Sequence, residues 1–291
     1  MKHLLKITLA LLIGIAAYML FTWVAEGNGT VVIVGGRRLV VASEGGPSWT
    51  DAYSDYLLVH ANMEGTNAAG ESIDASGNGF DGVPKPNSGG GPTMLLVGST
   101  NINGRLEHYT SWDGSDDSLH FPTNACPLVG GTIAFWINIQ SWGAYGEGPL
   151  RYRKSDGSEF IGVWEDPPSD ANLDFRYYDG GGYQVSLDHD PIATNAWVHF
   201  VWTWTNNASY LYTNAILADS DTSCAFAQIV GTSFELGSSY YGGNKYAEVL
   251  MDDFRTYSTP LPPTAVTNLF FNTPPVRDYP NANPGGNIEA R

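Results

Sequence analysis

Positive charge is scarce in this chain. Fourteen Lys+Arg stand against 30 Asp+Glu among 291 residues, a formal net charge of −16. A phosphate backbone would be repelled, and basic pairs such as Arg37-Arg38 are far too small to reverse that, so nucleic acid is excluded as a partner. Cysteine is scarcer still, with only Cys126 and Cys224. Two cysteines without a C-x-x-C pair give no disulfide-dense scaffold and no thiolate metal site. In an oxidising compartment they could form one disulfide, or they are two buried thiols. An internal repeat is missing, as is any long helix-period apolar pattern between the apolar runs. Neither G-x-S-x-G nor H-E-x-x-H occurs, and there is no EF-hand loop.

What is present is apolar and turn-forming. Hydrophobic residues make up 43% and aromatics 13%, which is enough for a sizeable core and excludes global disorder. Thirty-four Gly and 17 Pro, without a triplet period, point to many tight turns and not to collagen. Lys2, His3 and Lys6 precede nineteen uncharged residues, 7–25. As a helix these would span about 28 Å, close to the roughly 30 Å core of a bilayer. The basic flank before them and Glu26 after them orient the following chain outward. Residues 1–25 thus read as a signal-anchor, holding the chain in a membrane if uncleaved, or as a cleaved signal peptide. Either way the remainder is expected outside the cell or on its surface.

Residues 31–34, Gly35-Gly36 and 37–41 then predict a β-hairpin with a two-residue turn, part of a stalk and linker over 26–55. From 56 to 272 short apolar or alternating runs are separated by Gly, Asn, Asp and Pro. Strands are predicted near 57–61, 131–140, 160–164, 173–178, 183–187, 197–205, 208–213, 234–236 and 247–256, with one helical turn around 263–269. Many short strands without helices between them indicate an antiparallel all-β sandwich or barrel and not a parallel α/β sheet. Residues 133–139 and 197–204 are apolar at consecutive positions, as in strands buried between two layers. Residues 273–291 form a Pro/Asn/Gly-rich tail with nothing to bury.

Several segments together carry a resemblance. They are Leu57-Leu58-Val59-His60-Ala61, Asp74-Ala75-Ser76-Gly77-Asn78-Gly79, Trp112-Asp113-Gly114-Ser115, Gly131-Thr132-Ile133-Ala134-Phe135-Trp136, Trp197-Val198-His199-Phe200 and Met251-Asp252-Asp253-Phe254-Arg255. In this order across about 215 residues they resemble the LamG-like jelly roll of the concanavalin A-like lectin/glucanase type. Val249 departs from the pattern, since many members carry glycine before the acidic pair. The resemblance implies a two-sheet antiparallel jelly-roll sandwich, here preceded by an apolar helix and a hairpin stalk. It also implies a structural calcium where the Asp74–Asn78 turn approaches the first acid of Asp252-Asp253.

The residues themselves suit that ion. Asp74, Asn78 and Asp252 offer the hard oxygens that Ca²⁺ takes, six to eight at a time. Asp74 and Asn78 would equally build an Asx turn that satisfies backbone N–H groups without metal. Adjacent acids on a strand point to opposite faces, so Asp253 is expected to pair with a base such as Arg255 or to stay in solvent.

Sugar recognition uses aromatic faces flanked by a few polar groups. Trp142, Tyr145, Trp164, Tyr178, Tyr183 and Tyr241 are the candidates, with Glu165, Asp174 and Asp179 as neighbouring acids. Core filling is the competing role for each aromatic. Glycoside hydrolysis needs a close carboxylate pair, and Leu250 stands between Glu248 and Asp252 where a central acid is wanted. His199, in an apolar strand, reads as a core histidine and not as a catalytic base. The expectation is therefore a non-catalytic, exported carbohydrate-binding or adhesion module, with a glycan or surface protein as partner. A structural or protein-interaction protein is the alternative, and a hydrolase of the same superfamily the lesser one.

Overall fold

The fold was derived from a computed structural model. It describes residues 22–25, 29–34, 37–41, 51–66, 70–84, 95–96, 100–102, 105–107, 110–115, 117–142, 148–166, 171–189, 191–227, 229–240 and 244–273. Two compact units divide the chain, Met1–Asp51 and Ala52–Arg291.

The first unit holds β1 (Thr22–Ala25), β2 (Gly29–Val34) and β3 (Arg37–Val41) in one antiparallel sheet. The predicted hairpin is there, with Val34 opposite Arg37 and Thr30 opposite Val41. The apolar helix expected over 7–25 needs correction at its end. Thr22–Ala25 pairs as a strand with Gly29–Val32 instead, and the remainder of that stretch lies outside the described residues. The local chemistry accounts for this, since Thr22, Trp23 and Val24 are strand-favouring types beside a valine-rich partner. Among the described residues no helix is long and apolar enough to cross a membrane.

The second unit begins with β4 (Leu57–Thr66), β5 (Ser72–Asp74), β6 (Val83–Pro84), β7 (Leu95–Leu96), β8 (Thr100–Ile102), β9 (Arg105–Glu107), β10 (Thr110–Ser111) and β11 (Leu119–Phe121). The long central strands follow: β12 (Gly131–Ile139), β13 (Leu150–Arg153), β14 (Phe160–Asp166), β15 (Asn172–Tyr178), β16 (Tyr183–Asp188), β17 (Trp197–Trp204), β18 (Ser209–Thr213) and β19 (Ile216–Asp221). Last come β20 (Ser233–Leu236), β21 (Ser238–Tyr240), β22 (Asn244–Tyr246), β23 (Val249–Tyr257) and the helix α1 (Pro263–Asn272).

Two sheets carry the unit. One runs β19-β18-β17-β12-β23, beyond which β23 pairs with β4 at one end and with β10 at the other. The second runs β16-β15-β14-β13-β20-β11-β6. The strands alternate as a two-layer sandwich requires. Ile133, Phe135, Ile137, Phe200, Trp202 and Trp204 face inward from the first sheet, and Ile161, Val163, Phe175, Tyr177, Phe234 and Leu236 from the second. Rings meet across the gap, with Phe135 and Phe175 centroids 6.4 Å apart and Phe121 and Phe254 5.6 Å apart. Phe226, from the 222–232 connection, closes one end by stacking on Tyr177 and Trp204 at 4.5 and 5.5 Å.

β23 contains a bulge. Its register against β12 shifts between Ala134 and Trp136, and Asp253 takes φ +49°. A bulge adds one residue and turns the side chains beyond it to new directions, so Met251 and Phe254 both reach the core. Asp253 pairs with Arg255 at 2.9 Å, as expected, and also accepts from His60 Nε2 at 2.7 Å. Burial alone would raise its carboxyl, but Arg255 and the His60 hydrogen bond hold it well below the usual carboxylate range.

The outer face of the first sheet is covered around Trp136 and His199 by α1. Phe270 of α1 stacks on Trp136 at 5.5 Å and lies 6.0 Å from His199, while Trp136 Nε1 donates to Thr273 Oγ1 at 3.1 Å. His199 is a core residue, as the sequence indicated. The cysteines are not bonded: Cys126 and Cys224 are separate buried thiols, whose pKa values burial raises.

Candidate functional site

The outer face of the second sheet carries the polar and aromatic residues that the core cannot use. Inward Ile161 and Val163 leave Phe160, Gly162 and Trp164 outward on β14. Inward Leu173, Phe175 and Tyr177 leave Asp174, Arg176 and Tyr178 outward on β15. The register aligns one row across all seven strands: Ser186, Arg176, Gly162, Arg151, Glu235, His120 and Val83. The next row toward the hairpin turns is Tyr183, Tyr178, Phe160 and Arg153.

The charged residues of this row are paired, Arg176 with an acid of the neighbouring row and Arg151 with one of its own. Arg176 binds the Asp174 carboxylate, Arg151 binds Glu235, and His120 Nδ1 lies 3.9 Å from Glu235. Such pairs are directional and hold both partners in place. Beside them the rings form one cluster. Phe160 stacks on Tyr178 at 5.3 Å and meets Trp164 edge-on at 4.7 Å, and Tyr183 stands edge-on to Tyr178 at 5.3 Å. The Arg176 guanidinium carbon lies 5.2 Å from the Tyr183 ring centre, within cation–π range. Tyr183 remains 53% exposed and offers the open face of the cluster.

Trp164 is not a free platform. It is 8% exposed, and its ring covers Gly162 so closely that a Cβ there would lie 2.5 Å from the indole. Glycine is what lets the tryptophan lie along the sheet. Trp142, a candidate for sugar contact set among glycines, is half-buried and packs against the core. Tyr145 and Tyr241 lie outside the described residues. Of the acids named beside the aromatics, Glu165 is buried and Asp179 caps the β15–β16 turn by accepting from Gly181 and Gly182 N–H. Only Asp174 joins the cluster. The structure therefore unites Trp164, Tyr178 and Tyr183, and adds Phe160 and Arg176; Arg151, Glu235 and His120 continue the polar row on strands farther across the sheet. Alternation along 160–164 and 174–178 is the sequence signal that would have found the first two.

Calcium at Asp74 and Asn78 does not fit the local geometry. Asp74 Oδ1 accepts from His60 and Ser76 N–H at 3.0 and 2.9 Å, and Oδ2 from Ser76 Oγ and Phe80 N–H at 2.7 and 3.0 Å. These four donors occupy the lone pairs a cation would need. Burial would raise this carboxyl, yet the N–H of His60 and the other donors lower it on balance. Asn78 turns its amide nitrogen to the Leu57 and Leu58 carbonyls, at 2.7 and 3.0 Å. The Asx turn, the alternative reading of these residues, is the observed arrangement. Asp252 stands on β23 opposite Trp136, its Oδ1 accepting from Asp253 N–H at 2.7 Å.

Two surface hollows lie elsewhere. One is lined by Leu58, Pro127, Leu128, Val129 and Pro260, the other by His189, Ile192, Trp197, Asn214 and Ile216. Neither contains a residue expected from the sequence to bind ligand.

A family model, described as the concanavalin A-like lectin/glucanases superfamily and of laminin G type, matches residues 113–267, more than half of the chain. The chain belongs to this family. Solved structures share the fold at low identity. Domain 4 of AbnA, a GH43 extracellular arabinanase from Geobacillus stearothermophilus solved with arabinotriose, superposes with TM-score 0.56 and 19% identity. The match covers 74% of this chain and 98% of that one. The binding domain of botulinum neurotoxin DC, solved with rat synaptotagmin II, gives TM-score 0.56 and 14% identity over 77% of this chain and 53% of that one. Botulinum neurotoxin type C, whose cell entry depends on two ganglioside molecules, gives 0.55 and 14% over 76% and 52%. The chain thus spans about half the length of the toxin structures. No curated protein matches the sequence.

Proposed function

We propose that this LamG-type sandwich is a non-catalytic glycan-binding module whose ligand rests on the outer face of the second sheet. The observation that carries the reading is the exposed Tyr183 ring, braced by Tyr178 and Phe160 and bordered by the Arg176–Asp174 pair. An aromatic face beside fixed donors and acceptors is what a sugar ring with its hydroxyls requires. Fold neighbours solved with arabinotriose, or dependent on gangliosides, support the same reading. Hydrolysis is disfavoured because a general acid must carry a proton to the leaving oxygen, and Asp174 and Glu235 are each committed to a guanidinium. We place the module outside the cell, on the strength of the apolar, basically flanked residues 7–25.

A glycan array probed with the full chain and with Tyr183→Ala tests this. Binding by the first, lost in the second at an unchanged melting temperature, is expected. A blank array, or binding indifferent to Tyr183, would refute it.

A further inference from the structure

The charges around the cluster say which glycans it can accept. The hairpin turns beyond the ring row are built on carboxylates. Asp156 Oδ1 accepts from Ser158 N–H at 2.9 Å, and Asp179 Oδ1 from Gly181 N–H at 2.9 Å. These hydrogen bonds hold both side chains below the usual carboxylate range, so both are anionic at neutral pH. The two turns touch, since a Cβ on Gly180 would sit 3.1 Å from the Ser158 carbonyl oxygen. Glu159 stands in the same turn, paired with Lys154. Behind the rings, Arg176 is matched by Asp174 and Arg151 by Glu235. Asp188 on β16 lies directly opposite Asp174 on β15.

We infer that the Tyr183 site selects glycans without carboxylate or sulfate groups, because Arg176 and Arg151 are already matched by acids and the turns at its rim carry Asp156 and Asp179. This rests on the glycan-binding reading above and deepens it. A neutral sugar ring can stack on the exposed Tyr183 face without displacing either arginine–carboxylate pair. A polyanionic chain would instead cross Asp156 and Asp179 and approach a protein of net charge −16.

The test titrates the full chain with neutral oligosaccharides, uronic-acid oligosaccharides and sulfated oligosaccharides, at low salt and at about 0.5 M, where screening falls to a few ångströms. Neutral ligands should bind with less than about twofold change across that salt range, and Tyr183→Ala should weaken them about tenfold or more. The variant Asp156→Asn/Glu159→Gln/Asp179→Asn keeps the turn acceptors and should admit acidic glycans while leaving neutral binding unchanged. Binding of acidic glycans alone, weakened by salt, would overturn the selectivity and leave the glycan reading standing. Binding of no glycan in any arm would instead remove the reading on which it rests.

Discussion

His199 allows a sharp test of the sandwich itself. Its ring lies 4.9 Å from Trp136 and 6.0 Å from Phe270, between the first sheet and α1. Its Nδ1 finds no hydrogen-bond partner among the described residues. Burial lowers its pKa from 6.5 to about 3, with Asp253 opposing the shift and Arg255 adding to it. The unfolded chain therefore binds a proton at this residue that the folded chain refuses. Stability from the neutral ring is full above pH 6.5 and drains away as pH falls toward 3. Between pH 8 and pH 5 the loss is on the order of 2 kcal/mol, or about 4–8 °C in melting temperature for a domain of this size. That window lies above the carboxylate reference of 3.8, so the lowered carboxyls of Asp253 and Asp74 do not contribute to it. Urea unfolding of the wild type and His199→Phe at both pH values reads the effect. The phenyl ring fits the same slot and cannot be protonated, so the variant should equal or exceed the wild type at pH 8 and lose less at pH 5. Identical pH dependence in the two proteins would refute the assignment.

Three further outcomes rest on particular contacts. Gly162→Ala drives a methyl into the Trp164 indole and should cost about 1–3 kcal/mol, visible as a changed near-UV circular dichroism signal; an unaltered spectrum and melt would mean the ring does not lie there. Asp74→Ala strands the N–H groups of His60, Ser76 and Phe80 and should lower stability by about 2–4 kcal/mol, whereas EDTA should leave the wild-type melt unchanged. A calcium-dependent rise in melting temperature would show that the Asx turn is not the whole account. A reducing agent should not shift the melt, and Cys126 should react with a thiol reagent only after denaturation; a mobility shift on reduction would reveal a bond between Cys126 and Cys224.

Strands whose apolar residues alternate or run continuously were legible from sequence, and those at 131–139, 160–166, 172–178, 197–204 and 249–257 stand within a few residues of expectation. β13 was not, because Leu150-Arg151-Tyr152-Arg153 alternates with arginines that look solvated, yet Arg151 is buried against Glu235 across the sheet. The aromatic face of the second sheet was half legible. Tyr178 and Tyr183 are aromatic in a strand pattern, but Phe160 looks like core until its register opposite Tyr178 is known. Trp142 misled because Gly-rich surroundings suggest an open loop, while packing on the core depends on neighbours distant in sequence. The Asp74 turn was visible as chemistry, but only geometry distinguishes a carboxylate surrounded by N–H donors from one facing an ion. The Asp252-Asp253 step escaped simple alternation, because a bulge breaks the period of two.

β23 also governs when the molecule can form. It is the shared neighbour of β4, β10 and β12, and its ion pair to β4 joins residues 193 positions apart. Loops of that length close slowly, and folding rates fall as contacts become non-local. The β13–β16 hairpins need no such closure, since each strand pairs with the next in sequence. A chain emerging from a ribosome can therefore assemble the β13–β16 strands of the second sheet early. The opposite sheet stays unclosed until residue 257 is delivered, so truncation anywhere before β23 leaves an aggregation-prone half-sandwich and not a smaller stable domain.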